Sequence, residues 1–217
     1  MKRMFDAFSE ELGENVVYVL GGGSIMHDLS LKYKMNNLAD MYIRMRGFAA
    51  ITQIIRERLD LMEKTLECRV IDPIHVFYKS TRGNKFSSEI VWFGRMALEK
   101  LPAVMTSGVV LDRNILFSTI SSDSEAAYIA THMHSSRIIM ATATEGIIDN
   151  HGRTIESVSI KRYADIPFIT GGMHDKIRRV TPAVNAGIDV IVLGGDSIVK
   201  RGLSKTLENG RYTKVVR

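Results

Sequence analysis

The sequence has a single cysteine, Cys68, in 217 residues. An internal disulfide framework is therefore excluded, and a reducing, cytoplasmic setting is expected. Cys68 ends a helical pattern among apolar neighbours, where a structural thiol is a more ordinary reading than a nucleophile. No run approaches the roughly 20 apolar residues of a bilayer span. The opening MKRMFDAFSEELGEN mixes both charges and lacks an apolar signal core, so no membrane partner is expected. The net charge of +5 comes from scattered lysines and arginines, with no dense basic tract or aromatic-interleaved strand. That pattern suits small anionic substrates better than nucleic acid. Walker A is missing, and no GxGxxG opens a helix after a strand. His132 and His134 form an HxH pair without a suitably spaced third ligand, so no metal site is expected. No Ser-His-Asp arrangement is evident.

What is present is ordinary globular material. Hydrophobic residues make up 45% and charged residues 24%, enough for a sizeable core in one large α/β domain over residues 1–217. Phe5, Phe8 and Leu12 repeat at helical spacing. NVVYVL (15–20) then reads as a strand buried on both faces. From Leu38 to Leu66, Met41, Met45, Phe48, Thr52, Ile55, Leu59 and Met62 alternate steps of three and four, predicting one long helix. Its stripe suits packing inside the fold or across a homodimer interface. Further along, the sequence predicts a strand from Arg69 to Val76 broken by Pro73, a polar loop from Ser80 to Lys85, and a helix from Ile90 to Leu101. Short strands are expected at 103–106 and 115–120. A helix over 124–132 is capped by the Ser-Ser-Asp before it. A strand at 137–142, a turn at Asp149-Asn150-His151-Gly152, a helix at 173–186 and strands at 188–193 and 213–216 complete the chain. Strand and helix alternate, so the fold class expected is α/β with a mostly parallel sheet.

Ligands in such folds gather where the carboxyl ends of strands meet helix N-termini. Three glycine-rich turns fall at such places. Gly21-Gly22-Gly23-Ser24 would let backbone N–H groups approach a phosphate, with His27 three residues beyond. A histidine near a loop is as readily structural as functional here. Thr170-Gly171-Gly172-Met173 opens a helix carrying Lys176, which stands where it would reach a transferring phosphoryl group. The plainer reading is an ordinary turn and a surface lysine. Gly194-Gly195-Asp196 is the weakest of the three, because strands often end in glycine simply to turn.

Taken in order, these segments resemble the amino acid kinase superfamily. GGGSIMHDLSLKYKM (21–35), LPAVMTSGVVLD (101–112), TISSDSEAAYIA (119–130), ATEGIIDNHGR (143–153), ITGGMHDKI (169–177) and IVLGGD (191–196) carry the likeness. The isopentenyl phosphate kinase branch is the nearest, chiefly through the histidine after GGGS. The stretch from 38 to 100 matches only in its helix–strand pattern. The resemblance implies a three-layer αβα sandwich that moves a phosphoryl group from ATP, with Mg2+, to a small phosphorylated substrate. Such catalysis is mainly positioning and charge neutralisation. Gly22, Gly23, Ser24 and Ser122 would line the acceptor site, and His27 would hold the acceptor's phosphate. Asp123 would orient the basic groups, and Lys176 would stabilise the γ-phosphate charge. Thr142, Glu145, Gly146, Asp149, Gly171 and Gly172 would border the nucleotide.

The chain departs from the family pattern at two places. Members usually begin with a strand and a Lys-x-Gly-Gly-Ser loop, whereas Met1 to Glu14 reads as the helix that follows that loop. The family's Thr-Asp-x-Asp-Gly turn stands here as Thr142-Ala143-Thr144-Glu145-Gly146, with Ala143 in place of the first acid. Beside the kinase, these departures set a second expectation: a catalytically impaired member that binds a nucleotide or anion in a regulatory role.

Overall fold

The computed structural model describes residues 16–21, 28–29, 32, 41–65, 69–71, 77–80, 85–88, 103–106, 109–112 and 116–217. The expected helix near Met4–Leu12, the Gly22–His27 turn and the helix over 90–101 lie outside these residues. The chain divides into two compact units, one of Asn15–Glu125 and one of Ala126–Arg217 with Met1–Glu14.

In the Asn15–Glu125 unit, β1 (Val17–Leu20), β2 (Arg69–Ile71) and β5 (Ala103–Thr106) form a parallel sheet in the order β1-β5-β2. The helix α1 (Met41–Thr65) packs on β2, β5 and β6 (Val109–Asp112). Phe48, Ile51, Ile55 and Leu59 are its buried face, at the three- and four-residue spacing that puts side chains on one stripe. The stripe read from the sequence shifts slightly in the structure. Ile51 joins it, whereas Met45 is 51% exposed. The described part of the stripe packs inside its own unit.

A second sheet runs β4-β3-β6-β7, with β3 at Phe77–Ser80, β4 at Lys85–Ser88 and β7 at Leu116–Thr119. Ser80 and Lys85, read from the sequence as the limits of a loop, instead pair across an antiparallel hairpin. Strand β6 was absent from the sequence reading. Its Val-Val-Leu-Asp is too short for periodicity to separate from a loop.

The Ala126–Arg217 unit holds one sheet in the order β8-β10-β11-β9. Its strands are β8 (Arg137–Thr142), β9 (Ser157–Ser159), β10 (Asp189–Gly194) and β11 (Tyr212–Val216). β8 and β10 run parallel, as do β9 and β11, while β10 and β11 are antiparallel. Helix α2 (Ser122–His132) crosses the boundary between the units. Ile138, Met140, Val158, Val190, Val192 and Val215 face Ile177, Val180, Ala183 and Val184 of α3 (Gly171–Asn185) in one core. The end of α3 is fixed by Gly187, whose φ of 83° only glycine adopts readily. The Gly187 N–H donates to the Val184 carbonyl and the Ile188 N–H to the Ala183 carbonyl, both at 3.1 Å. That pair of bonds closes the helix and launches β10. Two short helices, α4 (Gly195–Arg201) and α5 (Leu203–Glu208), lead from β10 to β11. The Gly194-Gly195-Asp196 segment thus opens a helix and is more than a turn.

Candidate functional site

The carboxyl ends of β8 and β10 meet at the Thr142–Gly194 pair. There the chain leaves β8 through a turn built by its own threonines. Thr142 Oγ1 donates to the Thr144 carbonyl at 2.8 Å and lies 3.2 Å from the Leu193 carbonyl. Thr144 Oγ1 donates to the Gly146 carbonyl, and the Gly146 N–H to the Thr144 carbonyl, both at 2.8 Å. Gly146 has φ 100°, and a Cβ there would come within 2.8 Å of both Thr154 Cγ2 and Thr213 Oγ1. Only glycine fits. Across the edge, a Cβ on Gly194 would stand 3.3 Å from the Glu145 Cα, so the two glycine turns press together. Buried Thr213 locks the arrangement from β11: its hydroxyl accepts from the Ile147 N–H at 2.9 Å and donates to the Ile155 carbonyl at 2.7 Å.

Two carboxylates expected at the nucleotide are engaged by the protein itself. Glu145 Oε1 accepts from Ser197 Oγ at 2.7 Å and Oε2 from Arg211 at 3.2 Å. The Ser197 hydrogen bond, with those of Arg211 and the charges of Arg211 and Arg201, holds the Glu145 carboxyl below the usual glutamate range. Asp149 closes the 149–152 turn predicted from the sequence. Its Oδ1 accepts from the backbone N–H groups of His151 and Arg153, and its Oδ2 takes a two-pronged contact from the Arg153 guanidinium at 3.0 and 3.1 Å. Those bonds, led by the Arg153 backbone N–H, lower its pKa as well. Asp149 thereby shapes the loop beside the site.

After β9 and a short 3-10 turn at Tyr163–Asp165, helix α3 leads the chain to the start of β10. Its 15 residues span about 22 Å at 1.5 Å per residue, and the six residues of β10 span about 20 Å. α3 ends four residues before β10 begins, and its first turn carries Gly171 and Gly172. Gly171, with φ 53°, and Gly172 would each meet nothing within 4 Å if given a Cβ, so there is open space on that side of the turn. Lys176 is half-buried in the second turn. The His174 ring lies 4.8 Å from that of Tyr163, beside this turn.

In the other unit, Gly21 ends β1. A Cβ there would lie 3.5 Å from Ser122 Oγ, and the Arg58 guanidinium donates to its carbonyl at 3.4 Å. Ser121 caps α2 by accepting from the Ser124 N–H at 3.2 Å, as the sequence pattern indicated. Asp123 follows in the first helical turn. Gly21 is thus brought to the start of the Ser-Ser-Asp helix. Gly22, Gly23, Ser24 and His27 lie outside the described residues.

A model of the amino acid kinase family matches residues 1–194. The chain belongs to that family. Among curated relatives, the acetylglutamate kinase of Gluconobacter oxydans (strain 621H) is 33% identical over 97 residues, covering 43% of this chain and 32% of the relative. That of Hydrogenobaculum sp. (strain Y04AAS1) is 28% identical over 100 residues, 45% of this chain and 32% of the relative. The chain thus spans about a third of the length of the curated relatives it matches. Of solved structures, an isopentenyl phosphate kinase has TM-score 0.76 at 19% identity, covering 100% of this chain and 88% of that one. The N-acetylglutamate synthase of Neisseria gonorrhoeae complexed with coenzyme A and L-arginine has TM-score 0.70 at 12% identity, covering 99% and 57%. At such identities the likeness is one of fold, and it agrees with the α/β class expected from the sequence. In this amino acid kinase family member, Ser197, Thr154, Arg211 and Thr213 are the site-building residues that the sequence reading missed. Their partners lie between 9 and 66 positions away, and three of them follow the last recognisable glycine motif.

Among the described residues, no three His, Cys, Asp or Glu side chains cluster as metal ligands, and no helix is long and apolar enough to cross a membrane. The open space beside Gly171 and Gly172 leaves room that a nucleotide's phosphates would need. With their carboxylate oxygens bonded to protein groups, Glu145 and Asp149 would leave a Mg2+ arriving with a nucleotide chiefly to phosphate and water.

Proposed function

We propose that this chain is an ATP-dependent small-molecule kinase that phosphorylates a phosphate monoester such as isopentenyl phosphate. The observation that supports the reading is the Thr142–Gly146 turn pressed against Gly194 at the carboxyl edge of β8 and β10; the start of α3, with Lys176 in its second turn, would join it there. Backbone N–H groups at Gly171 and Gly172 would cradle the phosphates, helped by the positive end of a 15-residue helix. Lys176 would neutralise charge developing on the transferred group. Mg2+ arriving with ATP would shield the phosphate charge. On the acceptor side, His27 and the Gly22-Gly23-Ser24 turn would hold the acceptor's own phosphate, with Ser122 and Asp123 at the start of α2. Family membership supports phosphoryl transfer, and the acetylglutamate kinase relatives make a carboxylate acceptor the rival to a phosphate.

A second reading, a nucleotide- or anion-binding member with impaired catalysis, draws on the turn itself. Ala143 replaces an acid, and the Glu145 and Asp149 carboxylates are tied to protein partners.

The test is ADP release from the purified chain with Mg·ATP and either isopentenyl phosphate or N-acetylglutamate, with Lys176→Ala as the control. Turnover with isopentenyl phosphate that falls about 100-fold or more in the variant supports the first reading. Turnover with N-acetylglutamate alone moves the acceptor to a carboxylate. ATP binding by calorimetry without turnover on either acceptor supports the second reading.

A further inference from the structure

The contacts of Glu145 join three successive strands of one sheet. Glu145 follows β8, Ser197 stands just beyond β10, and Arg211 immediately precedes β11. Because β11 runs antiparallel to β10, with Tyr212 opposite Leu193, Arg211 lies at the same carboxyl edge as the glycine turns. One oxygen of Glu145 takes the Ser197 hydroxyl at 2.7 Å and the other the Arg211 guanidinium at 3.2 Å. A single carboxylate thus clasps the edge from β8 across to β11. Arg211 and Ser197 both lie beyond the 1–194 stretch that the family model matches.

We infer that the Glu145–Arg211 pair positions the Thr142–Gly146 turn for nucleotide binding, with Arg211 acting through Glu145 as a positioning residue. The inference rests on the proposed nucleotide role of this edge. The turn has few ways to move: its glycine is crowded by Thr154 and Thr213, and Glu145 stands against Gly194. Rotation of the Glu145 side chain therefore shifts the backbone that a nucleotide would meet. Arg211 is the partner that fixes this rotation from outside the turn. Its side chain is 59% exposed, so the pair is a weak stabiliser of the fold as a whole. Its effect falls on local geometry.

The test measures the Kd of Mg·ATP by calorimetry for wild type, Glu145→Gln, Arg211→Gln, Arg211→Lys and the Glu145→Gln/Arg211→Gln double variant. KM for the acceptor and Tm are measured alongside. Each single Gln variant is expected to weaken ATP binding about tenfold, and the double variant no more than either single, because the two act as a unit. Arg211→Lys should recover part of the loss. Acceptor KM should move less than twofold, and Tm only slightly. Wild type that binds ATP while Arg211→Gln stays within twofold of it would overturn this inference alone. Additive losses in the double variant, or equal shifts in ATP and acceptor constants, would overturn it too. A wild type that binds no nucleotide would overturn both this inference and the function on which it rests.

Discussion

Glu125 in the first turn of α2 is 0% exposed, and among the described residues neither carboxylate oxygen has a hydrogen-bond partner. Burial pushes its pKa well above the usual glutamate range, so folding favours its neutral acid form. Replacing it with methionine keeps an unbranched chain of similar length and removes the unpaired polar group. An unsatisfied buried polar group costs about 1–3 kcal/mol, and a chain of this size gains about 2–4 °C in Tm per kcal/mol. Glu125→Met is therefore expected to raise Tm by roughly 2–12 °C. The gain should depend on pH in a defined direction. Above the ordinary glutamate range near 4.3, the unfolded chain has released this proton while the native chain keeps it. Wild-type stability then falls as pH rises through the window between the ordinary and the raised pKa, at a limiting slope of about 1.36 kcal/mol per pH unit. The variant lacks this dependence. Thermal melts of both proteins at pH 5 and pH 8, at fixed ionic strength, should show the difference in Tm widening at the higher pH. Glu125→Gln, which keeps the shape and a polar head but cannot ionise, should lose the pH dependence and gain less stability. A Glu125→Met protein that melts below wild type at both pH values would refute the reasoning, as would a difference that does not change with pH.

Other substitutions probe the edge where the glycine turns meet. Gly146→Ala places a methyl group within 2.8 Å of two threonines at φ 100°; a loss of about 2–4 kcal/mol is expected in urea denaturation, with ATP binding weakened in parallel. Thr213→Val keeps the shape but strands the Ile147 N–H and the Ile155 carbonyl, at a cost of about 1–3 kcal/mol that denaturant melts will read. His27→Ala is expected to raise KM for a phosphorylated acceptor much more than KM for ATP, and equal effects in steady-state kinetics would assign it a structural role.

Much of the fold was legible in the sequence where patterns were long or punctuated. The strand at 137–142 matched residue for residue. The long helix appeared within a few residues of its expected limits, because apolar spacing sustained over many turns has few alternative readings. The Asp149 turn followed from side chains that bond their own backbone. Strands of three or four residues such as β6 and β9 escaped, since their pairing is decided by partners far along the chain. The site was legible in the same uneven way. Glycine turns at strand ends marked where the edge would be, and Ser121 capped α2 as its position suggested. Arg211 and Ser197 gave no local signal, because an ordinary arginine before a strand and an ordinary serine in a short helix become special only through Glu145. Glu145 and Asp149 were expected to border the nucleotide; that their carboxylates bond Ser197, Arg211 and Arg153 is set by the folded chain and not by motif spacing.

The sheet order β8-β10-β11-β9 also bears on the sequence of events during synthesis. β8 and β10 can pair as soon as residue 194 has emerged, but the ladder that holds β9 runs to β11. Until residues 212–216 are in place, β9 has no strand to join, and the Ile147 N–H lacks the Thr213 hydroxyl that anchors it. The turn proposed to receive the nucleotide is thus among the last parts of this unit to set. A nascent chain stopped short of β11 would carry every glycine motif named above and still lack a finished edge.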